Sequence, residues 1–184
     1  KNHYAVDSWN LRNNIDFDDL STTSDKSYFK QEFEVSVKNS FEDENLKNRL
    51  LKQLEKSKSE EIRIKDAISV FNLHLSQGSI RSLKGLEYFL NLESLYLYSN
   101  KVEDLGALSN LKNLRSLHLF ENNIIDISPL KNLDNLESLS LSNNRIEDIT
   151  VLENLKELRR LLLSNNLIEN IKPLNKLTKL RHLS

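Results

Sequence analysis

The stretch LHLFENNIIDISPLKNLDNLES, residues 117–138, decides the fold of this 184-residue chain. Its leucines and isoleucines have equivalents 22 positions before and 22 positions after them. The leucines that open successive copies are Leu73, Leu95, Leu117, Leu139, Leu161 and Leu183. Because chance does not place so many apolar residues in one register, the sequence predicts a tandem repeat, with five copies of 22 residues and the start of a sixth.

Each copy follows the pattern L-x-x-L-x-L-x-x-N, which is typical of a leucine-rich repeat. Leu117 and Leu119 alternate with period two, so both point to one face of a short strand. Asn122 then turns the chain, and its amide can bond backbone groups of adjacent repeats. A repeat of 22 residues leaves little room for a helix, so we expect 3₁₀ turns opposite the strand, where Pro129 and Pro173 fit.

The predicted fold class is therefore α/β, a leucine-rich repeat solenoid. We expect a curved rod with a concave parallel β-sheet, 3₁₀ turns on the convex side and an N-terminal α-helical cap. In the cap region, Leu46, Leu50, Leu51 and Leu54 are predicted to lie on one helical stripe. Ser40 is the predicted N-cap beside three acidic residues. A second short segment follows at 62–70. We assign 41–72 to the cap and 73–184 to the repeats; an independent helical hairpin is the alternative for 41–72.

Residues 1–40 form an unassigned N-terminal segment. Alternation over 28–37 favours one strand, and Tyr4, Trp9 and Phe17 could pack on the cap. A linker or the remnant of another domain is the alternative. At the other end, Ser184 lies inside the sixth strand, and the chain contains no methionine. We therefore expect the chain to be part of a longer protein, with any signal peptide outside it.

Composition excludes several classes of protein. Hydrophobic residues make up 38% and charged residues 29%, which is too apolar for a disordered chain. No apolar run reaches the roughly 18–20 residues of a membrane helix, so we expect no membrane insertion in this segment. The net charge of -1 lacks the basic excess of a nucleic-acid binder. The absence of cysteine excludes disulfides, thiolate zinc sites and cysteine nucleophiles.

No motif points to catalysis, a cofactor or a metal. The four histidines match no paired ligand spacing, and three glycines make a phosphate-binding loop improbable. His74 and His118 should lie two strands apart, about 10 Å, which is too far to share one metal. The sequence thus predicts no enzyme, although a catalytic domain outside this segment stays an alternative.

An acidic ladder recurs once per repeat. Its members are Asp104, Asp126 and Asp148, with Asn170 in the next copy. A calcium ladder is the functional interpretation. We prefer the structural one, in which each side chain accepts backbone N–H bonds in a convex turn.

The residues between the core leucines should point out of the concave face, where a partner would bind. Tyr96, Tyr98, His118 and Phe120 are predicted to form one contiguous aromatic cluster there. Exposed aromatic side chains are enriched at interface hot spots, although aromatics also simply suit β-strands. This cluster is the predicted protein-binding site, with Arg160 as a rim charge.

Two further features flank this cluster. Ser138, Ser140 and Ser142 form a flat serine stripe beside it. Beyond the stripe, Arg159, Arg160, Arg181 and His182 make a basic end. From residue 154 onward, seven Lys or Arg stand against two Glu. That local excess could attract an acidic partner, and it keeps a sulfated glycan as a lesser alternative.

Over residues 41–184 the chain resembles the internalins, surface proteins of Gram-positive bacteria. The resemblance rests on Phe41-x-Asp43-x-x-Leu46, Ile64-x-Asp66 and Gly85-Leu-Glu-Tyr88, and on the repeat text itself. It implies a helical cap, 22-residue repeats and an immunoglobulin-like module after them. It also implies adhesion: binding of a host or cell-surface protein by a secreted or surface-located concave face. Because similar repeats occur in cytoplasmic phosphatase regulators, a cytoplasmic scaffold or regulatory subunit stays open.

Overall fold

The computed structural model describes residues 36, 37 and 40–184, and these form a leucine-rich repeat solenoid. Six short parallel strands lie side by side in one sheet, in the order of the chain. They are β1 (Asn72–His74), β2 (Ser94–Tyr96), β3 (Ser116–His118), β4 (Ser138–Ser140), β5 (Arg160–Leu162) and β6 (His182–Leu183). The predicted fold class is confirmed.

The strand register follows the 22-residue period. Leu95 lies between Leu73 and Leu117, and Leu117 lies between Leu95 and Leu139, so each core leucine contacts its own equivalents. These leucines are completely buried, as is Leu119, which directly follows β3. A single repeat has no other layer to cover its leucines, so stacking supplies the apolar contacts that hold the rod together.

The opposite side of each repeat carries a 3₁₀ turn, as predicted. The five turns are Leu86–Tyr88, Gly106–Leu108, Ser128–Asn132, Thr150–Asn154 and Lys172–Lys176. Pro129 and Pro173 occupy the second positions of their turns, where the backbone N–H has no partner within the turn and its loss costs little. Four of these turns begin with a side chain of the acidic ladder, which accepts the backbone N–H two residues further on. The distance is 2.7 Å for Asp104, 2.8 Å for Asp126 and Asp148, and 3.1 Å for Asn170. This confirms the structural interpretation of the ladder.

A second ladder, of asparagines, joins neighbouring repeats. The Asn122 amide donates to Leu97 O and Leu119 O at 3.0 Å, and its oxygen accepts the Val102 N–H at 3.0 Å. The equivalent residues Asn100, Asn144 and Asn166 bond in the same way. One side chain therefore satisfies three backbone groups that would otherwise be unpaired in the interior.

Among the described residues, two helices precede the sheet, α1 (Glu44–Gln53) and α2 (Ile64–Ile68). The predicted N-cap was wrong. Asp43, not Ser40, caps α1, because its Oδ1 accepts the N–H groups of Asn45 at 2.8 Å and Leu46 at 3.1 Å. Leu46, Leu50 and Leu51 are the buried residues of α1.

Asp43 also attaches α1 to the first repeat. Its other oxygen accepts the backbone N–H groups of Arg81 at 2.6 Å and Ser82 at 3.3 Å. Burial opposes ionisation of this carboxyl, but the four N–H bonds outweigh it and lower its pKa. Tertiary contacts of Asp43 thus decide where the helix begins.

The predicted strand at 28–37 falls mostly outside the described residues. Of this stretch, only Ser36 and Val37 are described. Ser36 forms a single antiparallel bridge with Arg63, and the Val37 N–H donates to Ile62 O at 2.8 Å. Val37 is buried against the cap. Tyr4, Trp9, Phe17 and the remainder of 1–35, with residues 38 and 39, lie outside the described residues.

Candidate functional site

The exposed face of the sheet, here called the concave face, carries the side chains that alternate with the buried leucines. In β2 and β3 the central leucine is buried while both flanking residues are partly exposed. Since residues at the same position of successive repeats lie in register, side chains on this face form rows that run along the rod. All five predicted site residues lie on this face.

One row is a stack of three rings. Tyr96 lies between His74 and His118, with ring centroids 4.5 Å and 4.8 Å away and interplanar angles of 6° and 15°. Strand spacing in a sheet is about 4.8 Å, so planar side chains in register come to stacking distance without further adjustment. The faces of Tyr96 are therefore covered by its neighbours, and a partner can reach its edge and hydroxyl.

A second row holds a separate pair of rings. Tyr98 and Phe120 stack with centroids 4.7 Å apart and an interplanar angle of 5°. Both are partly exposed. The predicted single cluster is thus resolved into two parallel stacks. His74 belongs to the first stack, and the sequence prediction left it out of the site. Its position 22 residues before Tyr96 was the signal that could have placed it there.

His118 is held from several sides. Tyr96 covers one ring face, and His118 Nε2 lies 3.0 Å from Ser116 Oγ in a hydrogen bond. Burial lowers the pKa of His118, and the positive charge of Arg160 lowers it further. The ring is consequently neutral near pH 7 and acts as a polar group rather than a cation.

Between His118 and Arg160 lies the serine stripe. Ser138 stands in register between Ser116 and Arg160, and Ser140 between His118 and Leu162. Ser140 is only 3% exposed, whereas Arg160 is exposed at the edge of the stripe. The stripe separates the aromatic stacks from the basic residues of β5 and β6.

The predicted basic end is not uniform. Arg159 lies 3.5 Å from Glu137, which also contacts Arg115 at 3.0 Å, so part of its charge is balanced. Arg160, its neighbour in sequence, points to the concave face and has no carboxylate within 4.0 Å among residues 36–37 and 40–184. His182 pairs with Arg160 in the strand register.

Three further features of the described residues bear on the choice of site. In the described residues, no three histidine, aspartate or glutamate side chains are grouped so that they could hold a metal. None of the described helices is both long and apolar enough to cross a membrane. A groove between the cap and the first two repeats has mixed charge, and its Lys84 is already paired with Glu42. The concave face is the candidate site.

Comparison with known proteins agrees with this architecture. A family model described as leucine-rich repeats in two copies matches residues 112–154. The chain superposes on an internalin, InlF, from Listeria monocytogenes with a TM-score of 0.70 and 28% identity, over 81% of this chain and 52% of that one. It thus spans about half the length of that internalin.

A leucine-rich repeat protein from Leptospira interrogans is a second structural match. Its TM-score is 0.59 at 28% identity, over 66% of this chain and 34% of that one. No curated protein sequence matches the chain significantly. The repeat architecture in these matches is one that forms extended binding surfaces for other proteins.

Proposed function

We propose that this chain, an internalin-like leucine-rich repeat protein, binds a host or cell-surface protein through its concave face. Tyr98 and Phe120 are the principal anchors, Tyr96 and His118 supply polar contacts, and Arg160 supplies a charge. The observation that carries the proposal is the stacked pair Tyr98–Phe120, which presents partly exposed aromatic surface on a rigid sheet.

The aromatic surface is preorganised for binding. Each ring is held by its neighbour at van der Waals distance, so binding requires little loss of side-chain freedom. Aromatic side chains in such a setting are enriched among residues that dominate interface energy. The neutral His118 ring and the Tyr96 hydroxyl lie next to this surface and can orient the partner through hydrogen bonds.

We further propose that the protein acts outside the cell, secreted or on the surface of a Gram-positive bacterium, in adhesion. Support comes from the cap and repeat motifs that resemble internalins and from the structural match to an internalin. The competing hypothesis is a cytoplasmic protein that acts as a scaffold or regulatory subunit.

The binding site is tested with the variant Tyr98→Ala/Phe120→Ala and the control Ile125→Ala. Ile125 is 62% exposed and lies off the sheet, between Ile124 and the convex turn, so the control removes exposed apolar surface elsewhere. Surface proteins of candidate host cells are captured on each immobilised chain and identified by mass spectrometry. A partner should bind wild type and the control alike. The double variant should lose at least ~2 kcal/mol, about thirtyfold in Kd.

Equal binding by the double variant and wild type would disprove the assignment of the site. Location is tested by protease shaving of intact cells that make the full-length protein, with a cytoplasmic protein as control. Loss of the repeat domain while the control persists is the expected result. Protection of the repeats until lysis would disprove the extracellular location and indicate an intracellular partner.

A further inference from the structure

We infer that the concave face binds an acidic side chain of its protein partner, above Ser138 and between Arg160 and His118. This inference rests on the proposed protein-binding function and names the chemistry that the partner must bring. It also changes the role of Arg160 from a charge at the rim to the central contact for that side chain.

The register creates the space. Ser116, Ser138 and Arg160 lie in one row across β3, β4 and β5. His118, Ser140 and Leu162 form the adjacent row. In both rows β4 contributes only a serine, so no side chain larger than a hydroxymethyl group separates the outer strands. Those strands are two spacings apart, about 9.6 Å, which leaves room for one carboxylate-bearing side chain.

The charges around this space favour an anion. Arg160 is exposed and, within the described part of the chain, has no carboxylate at ion-pair distance, whereas Arg159 beside it contacts Glu137 at 3.5 Å. His182 on β6 lies next to Arg160 and can add a ring N–H donor. His118 faces Tyr96 on one side and the serine stripe on the other, and it senses the Arg160 charge across that stripe.

The donors fit a carboxylate. A guanidinium presents two parallel N–H groups to the two oxygens of a carboxylate, and serine hydroxyls can complete its hydrogen bonds. Once the partner covers Arg160, the ion pair lies in a partly buried interface, where it contributes more than a pair in open solvent. An anion bound here also compensates the Arg160 charge at His118, so binding should raise the pKa of His118.

A protein carboxylate fits better than a polyanion. A sulfated chain needs several free cations in a row, but the charge of Arg159 is already shared with Glu137. Apolar surface lies beside the space instead, from Leu162 and from the Tyr98–Phe120 pair. A partner segment that carries an acidic side chain next to apolar ones matches this arrangement.

The test measures His118 directly, in the 184-residue chain. The probe is N-acetyl-aspartate N-methylamide, the control probe is the asparagine analogue, and ionic strength is held constant. The His118 ring signals are followed by NMR over a pH series, with His74 at the far end of the stack as an internal reference. We expect a saturable change in the His118 signals and a higher His118 pKa with the aspartate probe only. Arg160→Gln should weaken this response at least about tenfold, and Arg159→Gln should leave it unchanged.

Three results would overturn the inference. The His118 signals could show no saturable change up to about 100 mM probe, or Arg160→Gln could respond to the probe as strongly as wild type. Inorganic sulfate could also bind more strongly than the aspartate probe. The last would identify a polyanion site. The proposed function fails separately. A chain that binds the probe but captures no protein refutes the function, whereas a chain that captures its partner but ignores the probe refutes this inference.

Discussion

The side chain of Gln53 completes the outer edge of the sheet beside His74. Gln53 Oε1 accepts the His74 N–H at 3.1 Å, and Gln53 Nε2 donates to Asn72 O at 3.3 Å. The last turn of α1 thus supplies, from one amide, the donor and acceptor that a further strand would offer to β1. An open strand edge invites pairing with another chain, so this contact protects the first strand and anchors the start of the stack to which His74 belongs.

Replacing Gln53 by Ala should expose this edge. We expect a loss of about 1 kcal/mol in the free energy of unfolding, because two hydrogen bonds of the backbone return to water. Amide hydrogen exchange should report faster exchange at His74. Lys52→Ala, at a neighbouring exposed position of α1, is the control. Unchanged exchange at His74 in the Gln53 variant would show that the cap does not protect β1.

A substitution in the asparagine ladder should lower the free energy of unfolding more than the Gln53 substitution does. Asn122→Ala leaves Leu97 O, Leu119 O and Val102 N–H without their partner in the interior. We expect a loss of about 2–4 kcal/mol in urea unfolding. Asn123→Ala, one residue further on and only partly buried, should cost less than about 0.5 kcal/mol. Similar costs for the two variants would contradict the structural role of the ladder.

Gly85 is required where the cap meets the first repeat. Its φ is 103°, and a Cβ added there would collide with the ring of Phe41, which is buried in the cap. Gly85→Ala should therefore lower the free energy of unfolding by about 2–3 kcal/mol and make the cap susceptible to limited proteolysis.

Gly106→Ala is the matched control for Gly85→Ala. Its added Cβ would meet nothing closer than the Asp104 carboxylate oxygen at 3.1 Å. The change should be tolerated within about 1 kcal/mol. Equal proteolysis of the two variants and wild type would mean that the Phe41 contact does not hold the cap in place.

The environment of His118 should make the free energy of unfolding depend on pH. Because burial and then Arg160 lower its pKa in the folded state, the unfolded chain binds this proton more tightly. The free energy of unfolding should fall as the pH drops below about 6.5 toward the folded pKa. His118→Gln removes this contribution, so its stability should fall less than that of wild type between pH 7 and pH 5. Parallel pH curves would contradict the burial of an uncharged ring.

Much of the molecule follows from the spacing of residues along the chain. A period of 22 residues places equivalent residues side by side at the spacing of β-strands, so core, register and turn positions can be inferred from the leucines alone. The same reasoning placed Tyr98 beside Phe120, and it foresaw that Asp126 and Asn122 serve the backbone. Stacking of identical units converts a local pattern directly into a tertiary one.

The tertiary structure alone decided the contacts that the 22-residue period does not govern. Asp43 caps α1 because it also bonds Arg81, which lies 38 residues away and in another element. Arg159 and Arg160 are adjacent and identical in type, yet within the described residues only Arg159 meets a carboxylate. Arg159 lies just before β5, beside Glu137, whereas Arg160 is the first residue of that strand. Sequence spacing determines contacts between repeats. Contacts of the cap, and the choice of partner for each charge, depend on distances that only the folded chain sets.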